Sequence, residues 1–331
     1  MLANETRNQH FVSQTEQRLN ASNPNSGHRN LRIYSFLIEN RETYQLKLEK
    51  NDGHKIASNL SMLDLFSFDV LGGGPLRMNL ETLFKRYEDK IEIHTHNLLE
   101  KLARRSTDIE TELIDLFAAK MLNFIRNPFC IQKVLNTFPT LGRYEPTDPR
   151  LLSIYRRIVK GQKPHQTHLC QQLGVSHETY IEWLRVIFVL LMQIGDDRSN
   201  LFEGMIKGLF EDRDTQASIL VWTYDQDVCL LSDRSFCQRI PNDTHMTMSF
   251  NLCSTAFVDY IFADAATVIK GLVPPEFVAD ALTAWQQAPE PSINISVTKN
   301  YRPMLAQFNR RIVEQAQDRV YCAKKTGIVL E

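Results

Sequence analysis

The first hydrophobic segments of the chain alternate with polar residues in short runs, as β-strands do. Residues 31–38 and 43–48 are rich in aromatic and branched side chains, and the polar segment 39–42 between them predicts a hairpin turn. A polar turn at 225–227 separates two further β-prone runs. The remaining strands are predicted at 66–71, 217–224, 228–232, 247–250 and 293–297, so the sequence predicts a small antiparallel sheet.

From residue 79 onwards, hydrophobic residues recur every three or four positions, which is the spacing of amphipathic helices. Thr107 and Glu110 have the spacing of a capping box, which predicts a helix start at Thr107 and an end before Pro128. Other helices are predicted at about 150–161, 165–173, 177–194, 199–210, 275–287 and 303–321. The predicted fold class is α+β, predominantly helical with a small antiparallel sheet.

The pattern divides the chain into three regions. Residues 1–78 hold a polar N-terminal segment and the hairpin, residues 79–215 form a helical middle, and residues 216–331 hold the small sheet and the closing helices. A chain of 331 residues is long enough for about two domains or one large one. We expect the first and third regions to form one compact unit.

Composition narrows the class of protein. The chain has 38 Lys and Arg against 39 Asp and Glu, with 43% hydrophobic residues, which is typical of a folded protein without a general affinity for phosphate backbones. The strongest apolar run, Val186–Ile194, is too short to cross a bilayer, and the polar N-terminus does not resemble a secretory signal. The six widely spaced cysteines predict reduced, mostly buried thiols. We therefore predict a cytoplasmic protein with no membrane partner.

Familiar catalytic and cofactor motifs do not stand out. Gly72–Gly74 could form an anion-binding nest, although a glycine-rich connector needs no ligand and is the favoured interpretation. Glu92, His94 and His96 would share one face of a strand and could then bind a metal. The surrounding pattern is helical and favours a solvated charge ladder instead. The sequence thus identifies neither a metal site nor a cofactor.

Residues 165–185 resemble a helix-turn-helix, with Gly174 at the turn. The second helix offers His177, Glu178 and Glu182 but only Arg185 as a strong base, which is a poor set for a groove lined with phosphates. A plain helical hairpin is the alternative interpretation.

Three short motifs resemble a known family. The opening Asn8-Gln9-His10-Phe11-Val12-Ser13-Gln14 is similar to the Gln-His-aromatic-Val-Pro-Gln signature of the bacterial domain-of-unknown-function family 4238, with Ser13 in place of the proline. Leu231-Ser232-Asp233 resembles the family's Ser-Asp element. Asn309, Ala316 and Arg319-Val320-Tyr321 resemble its closing helix. The resemblance implies a bacterial protein, often associated with mobile elements, with helices around a small sheet and no settled activity.

The same motifs supply the candidate site. His10 could act as a base, Asp233 could orient it, and Asn309 could hold a polar substrate, so these three are the candidate catalytic residues. Asn8, Gln9 and Gln14 are the candidate substrate-binding residues. The alternative is that the segment from Asn8 to Gln14 satisfies backbone groups and that His10 is structural.

Three functional hypotheses follow. The first is an effector-type hydrolase, such as a nuclease, that acts on nucleic acid or nucleotides in a bacterial defence or toxin setting. The second is a DNA-binding regulator that uses residues 165–185. The third is a non-catalytic scaffold or assembly subunit that uses an exposed apolar helix at 275–287. The expected partners are nucleic acid, a nucleotide, or a protein encoded nearby.

Overall fold

A computed structural model describes residues 2–70, 77–194, 199–239, 245–288 and 293–331. Within these residues the α-helices are α1 (Gln14–Leu19), α2 (Glu81–Ala103), α3 (Glu110–Arg126), α4 (Ile131–Thr137), α5 (Pro149–Lys160), α6 (Gln166–Leu173), α7 (His177–Leu191), α8 (Leu201–Glu211), α9 (Ala265–Leu272), α10 (Val278–Gln287) and α11 (Arg302–Gln315). The strands are β1 (Asn8–His10), β2 (Arg32–Asn40), β3 (Gln45–Leu48), β4 (His54–Lys55), β5 (Ser61–Leu63), β6 (Ser67–Phe68), β7 (Met78–Asn79), β8 (Thr215–Thr223), β9 (Leu231–Ser232), β10 (Cys237–Gln238), β11 (His245–Cys253), β12 (Ala256–Asp264), β13 (Ile293–Lys299) and β14 (Arg319–Cys322).

The strands build two five-stranded sheets, so the prediction of one small antiparallel sheet is wrong, although the protein is α+β. The first sheet has the order β10-β11-β12-β8-β13. It is mixed, because β13 runs parallel to β8 while the other neighbours are antiparallel. The second sheet has the order β3-β2-β14-β9, and β4 also pairs with β2. Two short ribbons, β1 with β5 and β6 with β7, complete the β structure of the described residues.

The predicted pairing across residues 225–227 does not form. Strand β8 pairs with β12, whereas β9 lies in the second sheet beside β14. The sequence did not indicate β12, because Asp259 interrupts its apolar run. In the structure Trp222 Nε1 donates to Asp259 Oδ2 at 2.9 Å, so the buried carboxylate is satisfied inside the sheet.

Three other boundaries differ from prediction. The closing helix was expected to reach residue 321, but α11 ends at Gln315 and β14 follows, with Val320 and Tyr321 in the middle of the second sheet. The capping box is also wrong, since α3 begins only at Glu110. Of the strand predicted at 66–71, the structure describes residues 66–70, and only Ser67–Phe68 form a strand, β6. The glycine cluster at 72–74 lies outside the described residues.

Helices α2 to α8 pack with the first sheet in one large hydrophobic core, and α11 packs in a smaller one that includes residues of β2 and β14. On α2 the buried residues recur at helical spacing, namely Phe84, Tyr87, Ile91, Thr95 and Leu98. Helix α7 is buried along most of its length, and Trp183 Nε1 donates to the carbonyl oxygen of Ile125 at 2.8 Å. These contacts make α7 a central core helix.

The three predicted regions interlock. Strand β2 of the first region pairs with β14 of the third in the second sheet. Phe11 packs edge-on against Phe129 of the helical middle, with ring centroids 5.4 Å apart. The ring centroid of Phe117, in the helical middle, lies 6.0 Å from that of Phe250 in the first sheet. The core is therefore shared by all three regions.

All six cysteines are buried and free of disulfides, as the sequence predicted. Among the described helices, none combines the length and apolar character needed to cross a membrane.

Candidate functional site

Both carboxylate oxygens of Asp233 bind backbone amides. Its oxygens accept hydrogen bonds from the amides of Gln317, Asp318 and Arg319 at 2.6, 2.7 and 2.9 Å. Burial raises the pKa of Asp233, and these amides act in the opposite direction. Asp233 thus ties the loop after β9 to the turn between α11 and β14.

Asn309 has a similar role at a different place. Its Oδ1 accepts from the amide of Leu230 at 2.9 Å, and its Nδ2 donates to the carbonyl oxygens of Val228 and Val329 at 3.1 and 3.0 Å. The side chain is fully buried. In the described parts of the chain, no hydrogen bond joins His10, Asp233 and Asn309 to one another, so the structure does not bring the three predicted catalytic residues together.

The predicted substrate-binding residues divide into two groups. Asn8 Nδ2 donates to the carbonyl oxygen of Ala57 at 3.1 Å, and Gln9 accepts from the amide of Phe66 at 2.5 Å, so both fix neighbouring backbone. Gln14 behaves differently, because its Nε2 lies 3.5 Å from His10 Nδ1. Only Gln14 and His10 of the predicted set are therefore in contact through their side chains.

His10 lies beside charged groups that the sequence did not single out. We define the Arg126 cluster as His10, Glu81, Glu88 and Arg126. Arg126 is the last residue of α3, and Glu81 and Glu88 are two turns apart on one face of α2. Strand β1 supplies His10 at its end. Arg126 contacts Glu88 directly, and His10 and Glu81 lie within electrostatic range of this pair.

An ion pair is the centre of the cluster. Arg126 Nη1 lies 2.5 Å from Glu88 Oε1, and its Nη2 donates to Asn123 Oδ1 at 3.0 Å. The guanidinium also covers the ring of Phe84, with 5.3 Å between Cζ and the ring centroid. Arg126 is fully buried, whereas the Glu88 side chain is 25% exposed. The pair therefore joins the core to the surface.

Three buried polar atoms around this pair have no hydrogen-bond partner among the described residues: His10 Nε2, Glu81 Oε1 and Arg126 Nε. Buried polar atoms are normally satisfied, and an exception calls for an explanation such as a bound water, an ion or a catalytic role. The cluster therefore has unused hydrogen-bonding capacity.

Burial also changes the protonation of the cluster. It raises the pKa of Glu81 to about 7, with Arg126 opposing the shift and Glu88 adding to it. Burial lowers the pKa of His10, while the backbone of Ile56 and the charge of Glu88 act against that change. At neutral pH Glu81 can therefore both accept and release a proton, and His10 is mainly uncharged.

A second buried network holds the cluster in place. Glu16 of α1 accepts from Lys120 Nζ at 2.6 Å and from Asn123 Nδ2 at 2.6 Å, and Ser235 Oγ donates to it at 3.1 Å. Asn123 also binds Arg126, so this network orients the guanidinium. A rigid supporting shell is what an acid–base site requires.

Sequence analysis missed Glu81, Glu88 and Arg126. Their one signal is the pattern Glu-x-x-Phe-x-x-x-Glu, which places two carboxylates on either side of the buried Phe84 on one helix face. That pattern is common on amphipathic helices. It becomes informative only when the end of α3 is known to lie against it.

The other predicted sites have plain structural roles. Glu92, His94 and His96 lie on α2, and His94 Nε2 is 3.3 Å from Asp115 Oδ2. No group of three or more His, Cys, Asp or Glu within the described ranges is arranged to hold a metal ion. The plain helical interpretation of this segment is confirmed.

The segment that resembles a helix-turn-helix does form two helices, α6 and α7, with Gly174 in a left-handed conformation between them. The exposed start of α7 carries His177 and Glu178. Arg185 lies further along the helix, and its Nη1 donates to the Tyr155 hydroxyl oxygen at 3.3 Å. This turn offers phosphates no strong cation of its own.

The apolar segment at 275–287 is exposed, as the scaffold hypothesis requires. Helix α10 has no buried residue, and the side chains of Leu272 and Phe277 before it are 77% and 56% exposed. The scaffold function itself stays a prediction.

Comparison with protein-family models, with curated proteins and with solved structures gave no match to this chain.

Proposed function

We propose that the chain is an acid–base hydrolase whose active site is the Arg126 cluster, and that its substrate is a phosphoester of a nucleotide or nucleic acid. The observation that carries the proposal is the set of three unpartnered buried atoms, on His10, Glu81 and Arg126, around one ion pair. The defence or toxin setting implied by the resemblance is part of the same proposal.

Glu81 is the proton carrier in this mechanism. With its pKa at about 7, its carboxylate takes a proton from the attacking water and then delivers that proton to the leaving oxygen. The water oxygen bonds to phosphorus as the bond to the leaving oxygen breaks. Glu81 ends the cycle in the protonation state in which it began, so the mechanism requires no second acid.

His10 and Arg126 hold the reacting group. Gln14 donates to His10 Nδ1, which leaves Nε2 of the neutral ring as a hydrogen-bond donor. Arg126 Nε is a second buried donor without a partner among the described residues. Two fixed donors can bind the oxygens on which negative charge develops, and a guanidinium is well suited to phosphate. This donor pair supports a phosphoester over a neutral substrate.

The test compares hydrolysis of bis(p-nitrophenyl) phosphate, p-nitrophenyl phosphate, p-nitrophenyl acetate and single- and double-stranded oligonucleotides by the full chain. We expect phosphoester turnover whose kcat/KM rises with pH through about 7. Glu81→Gln should lower kcat by about 10²- to 10⁴-fold. The control is Glu100→Gln, an exposed carboxylate on the same helix.

Loss of activity in Glu100→Gln, or full activity in a folded Glu81→Gln variant, would contradict the assignment. Turnover of the acetate ester alone would show that the site is hydrolytic but that the proposed substrate class is wrong.

A further inference from the structure

Strand β13 forms one outer edge of the first sheet. It pairs with β8 over seven consecutive residues, Ile293–Lys299, without a bulge, and none of its residues is buried. The other outermost strands of the two five-stranded sheets are shorter, since β9 and β10 have two residues each and β3 has four. Among the strands that the structure describes, β13 is therefore the longest one at a sheet edge.

The backbone of β13 has unused hydrogen-bonding groups at alternate residues. The amide of Asn300 donates to the carbonyl oxygen of Thr223 at 2.8 Å, so the backbone groups of Asn300 point toward β8. These groups point alternately to the two edges of a strand, and counting back from Asn300 identifies those that point outward. The outward set is Ile293, Ile295, Val297 and Lys299. Within the described ranges, the outward N–H and C=O groups form no hydrogen bond.

This edge lacks the usual protection against strand pairing. Native sheets protect their edges with charged residues, prolines, bulges or very short strands. β13 has no proline and no bulge, and its one charged residue, Lys299, is the last of the strand and pairs with Asp225 at 2.8 Å. Ile293 and Ile295 pack against the large core, whereas Val297, on the same side of the strand, is 46% exposed. The edge is therefore open to another extended segment.

The strand is complementary to a second copy of itself. If two antiparallel copies meet about a two-fold axis at Ser296, Ile295 lies opposite Val297 and Ile293 lies opposite Lys299. Every outward residue then faces an outward residue, whereas any shifted register leaves some of these groups unpaired. The exposed Val297 of each copy gains an apolar neighbour, and the two Lys299 side chains lie at opposite ends of the pair.

We propose that the protein forms a symmetric homodimer in which the two β13 strands pair antiparallel and join the first sheets of both copies into one continuous sheet. The paired strand shares no residue with the Arg126 cluster, so this inference is independent of the proposed hydrolase. The strand contributes seven residues a side, against roughly 20–30 in a standard interface, so the dimer is weak and reversible.

Sedimentation velocity of the full chain at about 1–200 µM tests the association, since weak interfaces dissociate in this range. We expect a monomer–dimer equilibrium. Val297→Pro removes an outward N–H and leaves the hydrogen bonds to β8 intact, so by symmetry it removes two bonds between the copies and should weaken dimerisation by about ten-fold or more. The matched control is Val297→Thr, which keeps the N–H and the branched side chain and should dimerise nearly as well.

Disulfide cross-linking tests the register. Ser296→Cys and Asn294→Cys both place an exposed thiol on the same side of β13, and the six native cysteines are buried. On the two-fold axis, the two copies of residue 296 form a non-hydrogen-bonded pair with Cα atoms about 4.5 Å apart, which a disulfide can span. The two copies of residue 294 are more than about 13 Å apart. With oxidised glutathione, only Ser296→Cys should give a covalent dimer.

Three results would overturn the proposal. The unmodified chain could stay monomeric over the whole concentration range, in which case the edge takes a different extended segment or none. Val297→Pro, with an unchanged circular dichroism spectrum, could dimerise as strongly as the unmodified chain, which would place the interface elsewhere. Asn294→Cys could also cross-link as readily as Ser296→Cys, which would exclude the two-fold axis at residue 296.

Discussion

Glu16 and Lys120 form an ion pair with no solvent-exposed side-chain surface, and Oε1 and Nζ are 2.6 Å apart. The pair joins α1, which follows the N-terminal motif, to α3, which ends in Arg126. Lys120 Nζ also donates to the carbonyl oxygen of Asn251 at 2.7 Å, so β11 is attached to the same pair.

Removal of both partners of this pair should cost less stability than the sum of the two single removals. Lys120→Met leaves the Glu16 carboxylate buried without its counter-ion, and we expect a loss of about 3–5 kcal/mol in the free energy of unfolding. Glu16→Gln combined with Lys120→Met should lose less than the sum of the two single variants. Urea denaturation of all four proteins measures the difference, and additive losses would refute the coupling.

Asp233→Ala should act on stability, because the carboxylate holds three backbone amides. Hydrogen bonds to a charged group contribute about 1.5–3 kcal/mol each, although they are not additive, so we expect a loss of several kcal/mol. The midpoint of thermal unfolding measures this. An unchanged midpoint with abolished phosphoester turnover would instead restore Asp233 as a catalytic residue.

Asn309→Leu should also destabilise the fold. The substitution removes partners from the buried amide of Leu230 and from the carbonyl oxygens of Val228 and Val329. Each buried group left unsatisfied costs about 1–3 kcal/mol. Urea unfolding at equilibrium is the measurement, with exposed Asn136→Leu on α4 as the control. Equal stabilities of the two variants would contradict the structural role.

Glu81 should make the stability depend on pH. Its folded-state pKa of about 7 lies above the ordinary value of 4.5, so the folded protein binds this proton more tightly than the unfolded chain. The resulting stabilisation is fully present below pH 4.5 and is lost as the pH rises through 7, with a total of about 3 kcal/mol.

Glu81→Gln keeps the side chain neutral at every pH and should remove this dependence. Urea unfolding between pH 5 and pH 8 compares it with the unmodified protein and with Glu100→Gln. Identical slopes in all three would show that Glu81 titrates normally.

The sequence predicted elements whose signal is local. The β2–β3 hairpin and the helices α5 to α8 follow from periodicity and from residues such as Pro149, and all of them form. Strand β12 could not be recognised, because the buried Asp259 is satisfied by Trp222 and Ser249 on the two neighbouring strands. Strand β14 was assigned to a helix, because its place between β2 and β9 depends on distant partners.

The candidate site also depends on residues that are distant in the sequence. His10 was predicted to be a base beside Asp233 and Asn309, but the charges that act on it come from Glu88 and Arg126, on helices far along the chain. Asp233 and Asn309 were selected for their position near a strand and a helix, and the structure shows that backbone groups occupy them. Residue type alone does not distinguish a polar side chain that fixes backbone from one that is free to react.

The pairing of β2 with β14 has a consequence for synthesis of the protein. Glu49, beside this pair, and its partner Arg319 are 270 positions apart, and a ribosome that adds roughly 5–20 residues per second needs tens of seconds to cover that distance. During this time the β2–β3 hairpin is complete, but the other edge of β2 lacks its partner β14. Such an edge can pair with other chains, so β2 is exposed to aggregation until β14 has been made and pairs with it.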